Sequence, residues 1–206
     1  MQGEFERARK LYNGARALLQ DLGGGVLSAS TSLDSAQVEI LAGDYLAAER
    51  ELRRDYEALS AMGEKYLRST IGGLLARALV FQGRHDEAEQ LTREVEAIAS
   101  EDDTDAQAVW RGARARALAN RADLTAALTL AEEAVALRRR TDSPVLQAEA
   151  LSDLAEVLRL SDRFPDARAA LEEALRLVEA KGDVVSTKRV RAEIQALAVS
   201  NLQPAG

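Results

Sequence analysis

His85 is the only histidine, and Asp86 and Glu87 beside it supply the residue types of an acid–base cluster. A repeated pattern gives His85 a different role. The segments Gly3-Glu-Phe5-Glu-Arg-Ala8, Gly43-Asp-Tyr45-Leu-Ala-Ala48, Gly83-Arg-His85-Asp-Glu-Ala88, Ala122-Asp-Leu124-Thr-Ala-Ala127 and Asp162-Arg-Phe164-Pro-Asp-Ala167 align, so His85 stands where the other copies carry Phe5, Tyr45, Leu124 and Phe164. That is a packing slot. The pairs Glu132-Glu133 and Glu172-Glu173 resemble twin catalytic carboxylates, but sequence neighbours on a helix point about 100° apart, and the pair recurs at one repeat position. They read as solvated helix faces. Gly23-Gly24-Gly25 matches neither G-x-x-x-x-G-K-[ST] nor G-x-G-x-x-G and reads as a helix terminator. With 0 Cys and 1 His, Cys-ligated zinc, iron–sulfur clusters, thiol nucleophiles and histidine metal cages are excluded. No catalytic residue, metal or cofactor is expected, and the chain reads as a non-enzyme.

The most unusual stretch is Trp110-Arg-Gly-Ala-Arg-Ala-Arg116. Arg111, Arg114 and Arg116 could grip a partner's carboxylate or phosphate with Trp110 as an apolar anchor. Alternatively they close ion pairs with Glu149, Asp153 or Glu156 on the equivalent helix of the next repeat. The second reading is preferred.

These residues need helices to position them. Of 206 residues 47% are hydrophobic and only 4% aromatic, the composition of helices packed through small side chains. The aligned segments begin 40, 40, 39 and 40 residues apart, and Gly23, Gly63, Asp103, Asp142 and Gly182 form a second ladder of helix-stop signals with the same spacings. Each unit divides into two helices, which makes it a hairpin. Leu151, Leu154, Ala155 and Leu158, then Leu171, Ala174, Leu175 and Val178, recur at i, i+3, i+4 and i+7. Pro144 and Pro165 fall in first helical turns. The pattern predicts ten helices, near 2–22, 26–41, 44–62, 64–82, 84–100, 104–120, 123–140, 143–160, 163–181 and 183–200. One repeat domain, 1–206, then comprises a half-repeat 1–23, repeats 24–63, 64–103, 104–142 and 143–182, a capping helix 183–200 and a tail 201–206. The first helix carries Phe5, Ala8, Leu11, Ala15, Leu18 and Leu19 on one apolar face with no hairpin mate. Either the chain is a piece of a longer one, or Phe5, Leu11 and Leu18 pair it with a second copy.

The Gly43-Asp-Tyr45-Leu-Ala-Ala48 pattern and its copies resemble the turn and second helix of tetratricopeptide repeats. Leu75-Ala76 to Leu79 and Leu154-Ala155 to Leu158 are similar to that family's first-helix core. The unit of 40 departs from the usual 34 or so. The resemblance implies an all-α, right-handed α-solenoid of antiparallel hairpins that binds protein partners, with first helices on its concave face. Ala42-Gly-Asp-Tyr-Leu-Ala-Ala-Glu-Arg-Glu-Leu-Arg-Arg54, Asp105-Ala-Gln-Ala-Val-Trp-Arg-Gly112 and Glu156-Val-Leu-Arg-Leu160 are also similar to the carboxyl-terminal repeats of bacterial proteins that join a class III adenylate/guanylate cyclase domain to an ATPase module. That likeness implies a regulatory segment of a larger signalling protein.

Charge points to the partner. The net charge of -7 opposes nucleic-acid binding. Yet Lys65, Arg68 and Arg77 against Glu64 leave the helix at 64–82 at +2, and four Arg against Asp105 leave 104–121 at +3. On a concave face these helices would receive an acidic peptide, with Arg77, Phe81, Arg116, Asn120, Glu156 and Arg159 as the groove residues. No apolar run spans a bilayer, and MQGEFERARK lacks the core of a secretory signal, so a cytoplasmic location is expected.

Overall fold

The structure, a computed structural model, describes residues 2–200; the expected tail 201–206 lies outside them. Among the described residues there are eleven helices and no strand. In chain order they are α1 (Phe5–Asp21), α2 (Gly25–Ser28), α3 (Ser32–Ala42), α4 (Tyr45–Ala61), α5 (Tyr66–Phe81), α6 (His85–Glu96), α7 (Thr104–Asn120), α8 (Leu124–Arg138), α9 (Pro144–Leu160), α10 (Phe164–Lys181) and α11 (Val184–Ser200). None is long and apolar enough to cross a membrane.

Helices α1, α4, α6, α8 and α10 each open on the recurring slot residue, Phe5, Tyr45, His85, Leu124 or Phe164. The cause lies two residues earlier. Gly3, Gly43, Gly83, Ala122 and Asp162 all have left-handed φ, from 56° at Asp162 to 82° at Gly3. At Gly43 this conformation stops α3 and returns the Gly43 and Asp44 amides to the Ile40 and Glu39 carbonyls. Asp44 Oδ1 then caps α4 by accepting from the Ala47 amide at 2.9 Å. Ala122 and Asp162 hold a Cβ where an L-residue is strained by about 1–2 kcal/mol. Ala122→Gly is therefore expected to stabilise the chain by about 0.5–1 kcal/mol, read as a higher urea midpoint; an unchanged or lower midpoint would contradict the strain.

The second ladder behaves less uniformly. Gly23, Gly63 and Gly182 adopt positive φ, whereas Asp103 and Asp142 do not. Asp103 instead starts a helix: its Oδ1 accepts from the Asp105 and Ala106 amides, both at 3.1 Å, and α6 stops early, at Glu96. The helix expected over 26–41 is also divided, into α2 and α3. Ser30 and Thr31 hydroxyls donate to the Leu27 and Ser28 carbonyls, and buried Asp55 of α4 accepts from the Ser32 amide at 2.7 Å. Serine-rich sequence supplies such local alternatives to continuous helix.

The alanine three residues into each second helix is buried at Ala48, Ala88, Ala127 and Ala167 but not at Ala8. Helix α1 has no buried residue; Phe5 is half-buried, while Leu11 and Leu18 are 67% and 65% exposed. Polar contacts hold α1: Arg9 to Glu39 at 2.6 Å, and Arg16 to Glu51. The core runs from Leu52, Leu59, Ile71, Leu75 and Leu79 through an alanine-rich seam to Leu171 and Val178. Each fully buried leucine contributes about 2 kcal/mol.

Glu49 locks α4 to the turn between α5 and α6, accepting from Arg53 at 2.7 Å, Gln82 at 2.9 Å and Arg84 at 2.7 Å. Burial alone would push its carboxyl up, but these hydrogen bonds outweigh it and hold it at about 2. A depressed folded-state pKa gives stability that is present above the ordinary value of 4.5 and lost as pH falls toward about 2. The urea midpoint of Glu49→Gln is expected to fall less steeply over that window than the native midpoint; parallel slopes would contradict this.

Candidate functional site

Helices α3, α5, α7 and α9 present one face each to a shared surface. Arg77 of α5, 8% exposed, donates to Glu149 Oε2 at 2.6 Å and Asp153 Oδ2 at 2.5 Å on α9. Gln37 of α3 donates to Glu149 Oε1 at 2.5 Å, and Arg116 of α7 reaches Asp153 Oδ1 at 3.3 Å. Helices α3 and α9 thus touch although α5 and α7 lie between them in the array, so the surface is concave. Small residues permit this: a Cβ on Gly112 of α7 would stand 2.7 Å from Asp153 Oδ2. Two arginines against two carboxylates leave the network neutral.

The network separates two clefts. One, of about 420 Å³, is lined by Leu33, Asp34 and Gln37 of α3, by Tyr66, Leu67, Thr70, Leu74 and Arg77 of α5, by Asp105 and Val109 of α7, and by Val145, Leu146 and Glu149 of α9. Asp103, Arg138 and Ser143 complete its rim. The other, of about 230 Å³, is polar: Gln37, Arg77, Arg116, Glu149, Ser152 and Asp153 meet Arg189 and Glu193 of α11, with Ile40, Tyr45 and Phe81 at its wall. Phe81 stacks on Tyr45 at 4.9 Å between ring centroids, and the Arg116 guanidinium lies 5.1 Å from the Phe81 ring centroid. An adjoining hollow of about 140 Å³ holds Glu156 and Arg159, paired at 2.7 Å. Burial would raise the Glu156 carboxyl, but the Arg159 hydrogen bond and the charges of Arg116 and Arg159 hold it below the usual carboxylate range.

Residues 105–180 match the family described as Tetratricopeptide repeat. The crystal structure of BtubC (BKLC) from P. vanneervenii superposes with a TM-score of 0.59 at 15% identity, over 98% of this chain and 94% of that one. A putative kinesin light chain with nearly identical TPR-like repeats from Podosopora anserina gives 0.52 at 21% identity, over 88% and 90%. The chain has the fold of a tetratricopeptide-like solenoid. No curated protein sequence matches it.

In this tetratricopeptide-like array, Arg77, Phe81 and Arg116 line the polar cleft and Glu156 and Arg159 the adjoining hollow, whereas exposed Asn120 lines neither and donates to the Arg116 carbonyl at 2.8 Å. The expected positive groove is not formed. Arg111 pairs with Glu133, Arg114 with Glu96, and Arg121 with Glu89, none of them on α9. At about 100° per residue, Arg111, Arg114 and Arg121 share one face of α7 and Arg116 lies about 140° from Arg111. Arg68 likewise turns from the cleft, donating to Ser60 at 2.8 Å. Trp110 is 2% exposed, under the Arg111 and Arg114 guanidiniums at 4.2 and 4.4 Å from its ring centroid, and so is closed to a partner. The ion-pair partners Glu149 and Asp153 belong to Arg77 and Arg116 rather than to Arg111 and Arg114.

Sequence reasoning missed Gln37, Ser152 and Arg189 in the polar cleft and, in the apolar cleft, every lining residue except Arg77 and Glu149. The apolar cleft had a signal: Leu67, Thr70 and Leu74, like Val145, Leu146 and Glu149, fall on one helical face. Among the described residues no cluster of His, Cys, Asp and Glu is arranged to hold a metal.

Proposed function

We propose that this chain is a non-catalytic interaction scaffold whose concave face holds a partner-protein segment bearing an acidic residue. Tetratricopeptide repeats generally mediate protein–protein interaction. The observation that carries the acidic reading is the presence at the polar cleft of three donors with no hydrogen-bond acceptor among the described residues, Arg116 Nε, Ser152 Oγ and Arg189 Nε, the last standing 3.7 Å from Glu193 Oε1. An unpaired buried donor costs about 1–3 kcal/mol, and a carboxylate offsets that with charge-assisted hydrogen bonds. Peptides selected on the immobilised protein from a random-peptide library are expected to carry Asp or Glu, and to bind the Arg116→Ala, Arg189→Ala double variant about tenfold more weakly. Equal affinity for both proteins would exclude the reading.

A second reading is self-association through α1, favoured by the exposure of Leu11, Leu18, Leu22 and Leu27. Sedimentation is then expected to show concentration-dependent mass that Leu11→Glu abolishes, and a monomer at every concentration would eliminate it. The likeness of three stretches to cyclase–ATPase repeat regions supports a regulatory role for either surface in bacterial cytoplasmic signalling.

A further inference from the structure

The larger cleft has the opposite chemistry from the polar one. Its floor is aliphatic, with Leu33, Leu74, Val109 and Leu146 contributed by four different helices. Leu33, Leu74 and Leu146 are half-buried and Val109 is buried, Leu33 and Leu74 packing on the core from below, so the cleft exposes the outer edges of these side chains. The two arginines at the cleft are committed, Arg77 to Glu149 and Asp153, Arg138 to Asp105. Two of its acids are not. Asp34 is exposed and forms no ion pair among the described residues. Asp103 is 3% exposed, and while its Oδ1 caps α7, its Oδ2 is buried with no hydrogen-bond partner among the described residues. Tyr66 at the rim reports the resulting field: its hydroxyl pKa is raised, first by the charge of Asp103, then by partial burial and by Asp105 and Asp102.

An aliphatic hollow with uncompensated negative charge fits one kind of occupant. We infer that this cleft is a second subsite on the concave face and takes an aliphatic side chain of the partner segment, with a neighbouring Lys or Arg directed at Asp103 and Asp34. The aliphatic residue removes the remaining exposed leucine edges from water, and the cation meets the negative field of exposed Asp34 and of Asp103 beneath the rim. The inference rests on concave-face binding but uses none of the polar-cleft donors, so the two subsites are separable.

The experiment uses the full chain and peptides selected on it from the random-peptide library, with affinities measured by fluorescence anisotropy. Asp103→Asn keeps the cap acceptor and removes the charge, Asp34→Lys reverses an exposed charge, and Leu74→Ser shortens a half-buried side chain; each variant is first checked for native helicity by circular dichroism. Selected peptides are expected to share an aliphatic residue next to Lys or Arg. Their binding is expected to fall at least about tenfold in Asp103→Asn and in Leu74→Ser, and further in Asp34→Lys. Peptides that respond to these changes but not to Arg116→Ala, Arg189→Ala support this subsite and overturn the acidic reading. Peptides that respond only to the arginine changes overturn this subsite and leave the acidic reading standing. Insensitivity to both sets overturns both.

Discussion

Arg77→Met is expected to destabilise the chain by about 3–5 kcal/mol, the largest effect of any single substitution considered, although Met matches much of the arginine's volume. The loss comes from what remains. Glu149 and Asp153 are 6% and 4% exposed, and without Arg77 two carboxylates would share a buried site with Gln37 and the longer 3.3 Å contact to Arg116. Burial opposes the Arg77 charge, and the charges of Asp153 and Glu149 outweigh it, so its pKa stays above the ordinary arginine value. Removing both acids as well, in Arg77→Met, Glu149→Met, Asp153→Leu, is expected to recover most of the stability, because an apolar cluster can replace a buried ion network. Chemical denaturation of the two variants checks this. A small loss in Arg77→Met would mean that water enters the network freely.

Gly73→Ala is the second large effect, expected to cost about 1–2 kcal/mol net. In an exposed helix interior the change would stabilise by roughly 1 kcal/mol. Here the new Cβ would overlap Val109 Cγ1 and stand 3.2 Å from the Trp110 amide nitrogen, where α5 and α7 approach backbone to backbone. Overpacking costs about 1–3 kcal/mol and outweighs the propensity gain. Gly14→Ala is the control: nothing lies within 4 Å of its Cβ, and the substitution is expected to stabilise by about 1 kcal/mol. Opposite signs for one chemical change, measured by urea midpoints, would locate the cause in tertiary packing. Equal signs would refute it.

Much of the fold was legible because its signals are local. A glycine at 43 or 83 ends one helix, an aspartate at 44 caps the next, and the alanine at 48 or 88 must pack closely; each acts within a turn of itself, so the 40-residue ladder shows on inspection. The ladder even carried its rule to Ala122 and Asp162, which take the left-handed conformation that glycine takes elsewhere. Legibility failed where one residue type serves two local purposes. Asp103 read as a stop signal and is a cap, and the serine-rich run near 30 read as helix and is a break, held by Asp55 from another helix.

The candidate site was less legible. Arg77, Phe81 and Arg116 came from helix charge and the concave face that the tetratricopeptide resemblance implies, and they meet at one cleft. Summing charge over whole helices, however, assigned to the groove arginines that lie on other faces, and a sum has no direction. By itself the sequence determined most of the helices and their pairing into hairpins, since these follow from residue type and short-range spacing. Only the tertiary structure decided that α3 reaches α9, that Arg77 is neutralised rather than available, and that an aliphatic cleft with an unpaired aspartate lies beside it. Those facts depend on how tightly successive repeats curl. Helices come close where Gly73 lets α5 meet the α7 backbone and Gly112 leaves room for the Asp153 side chain, between residues tens of positions apart.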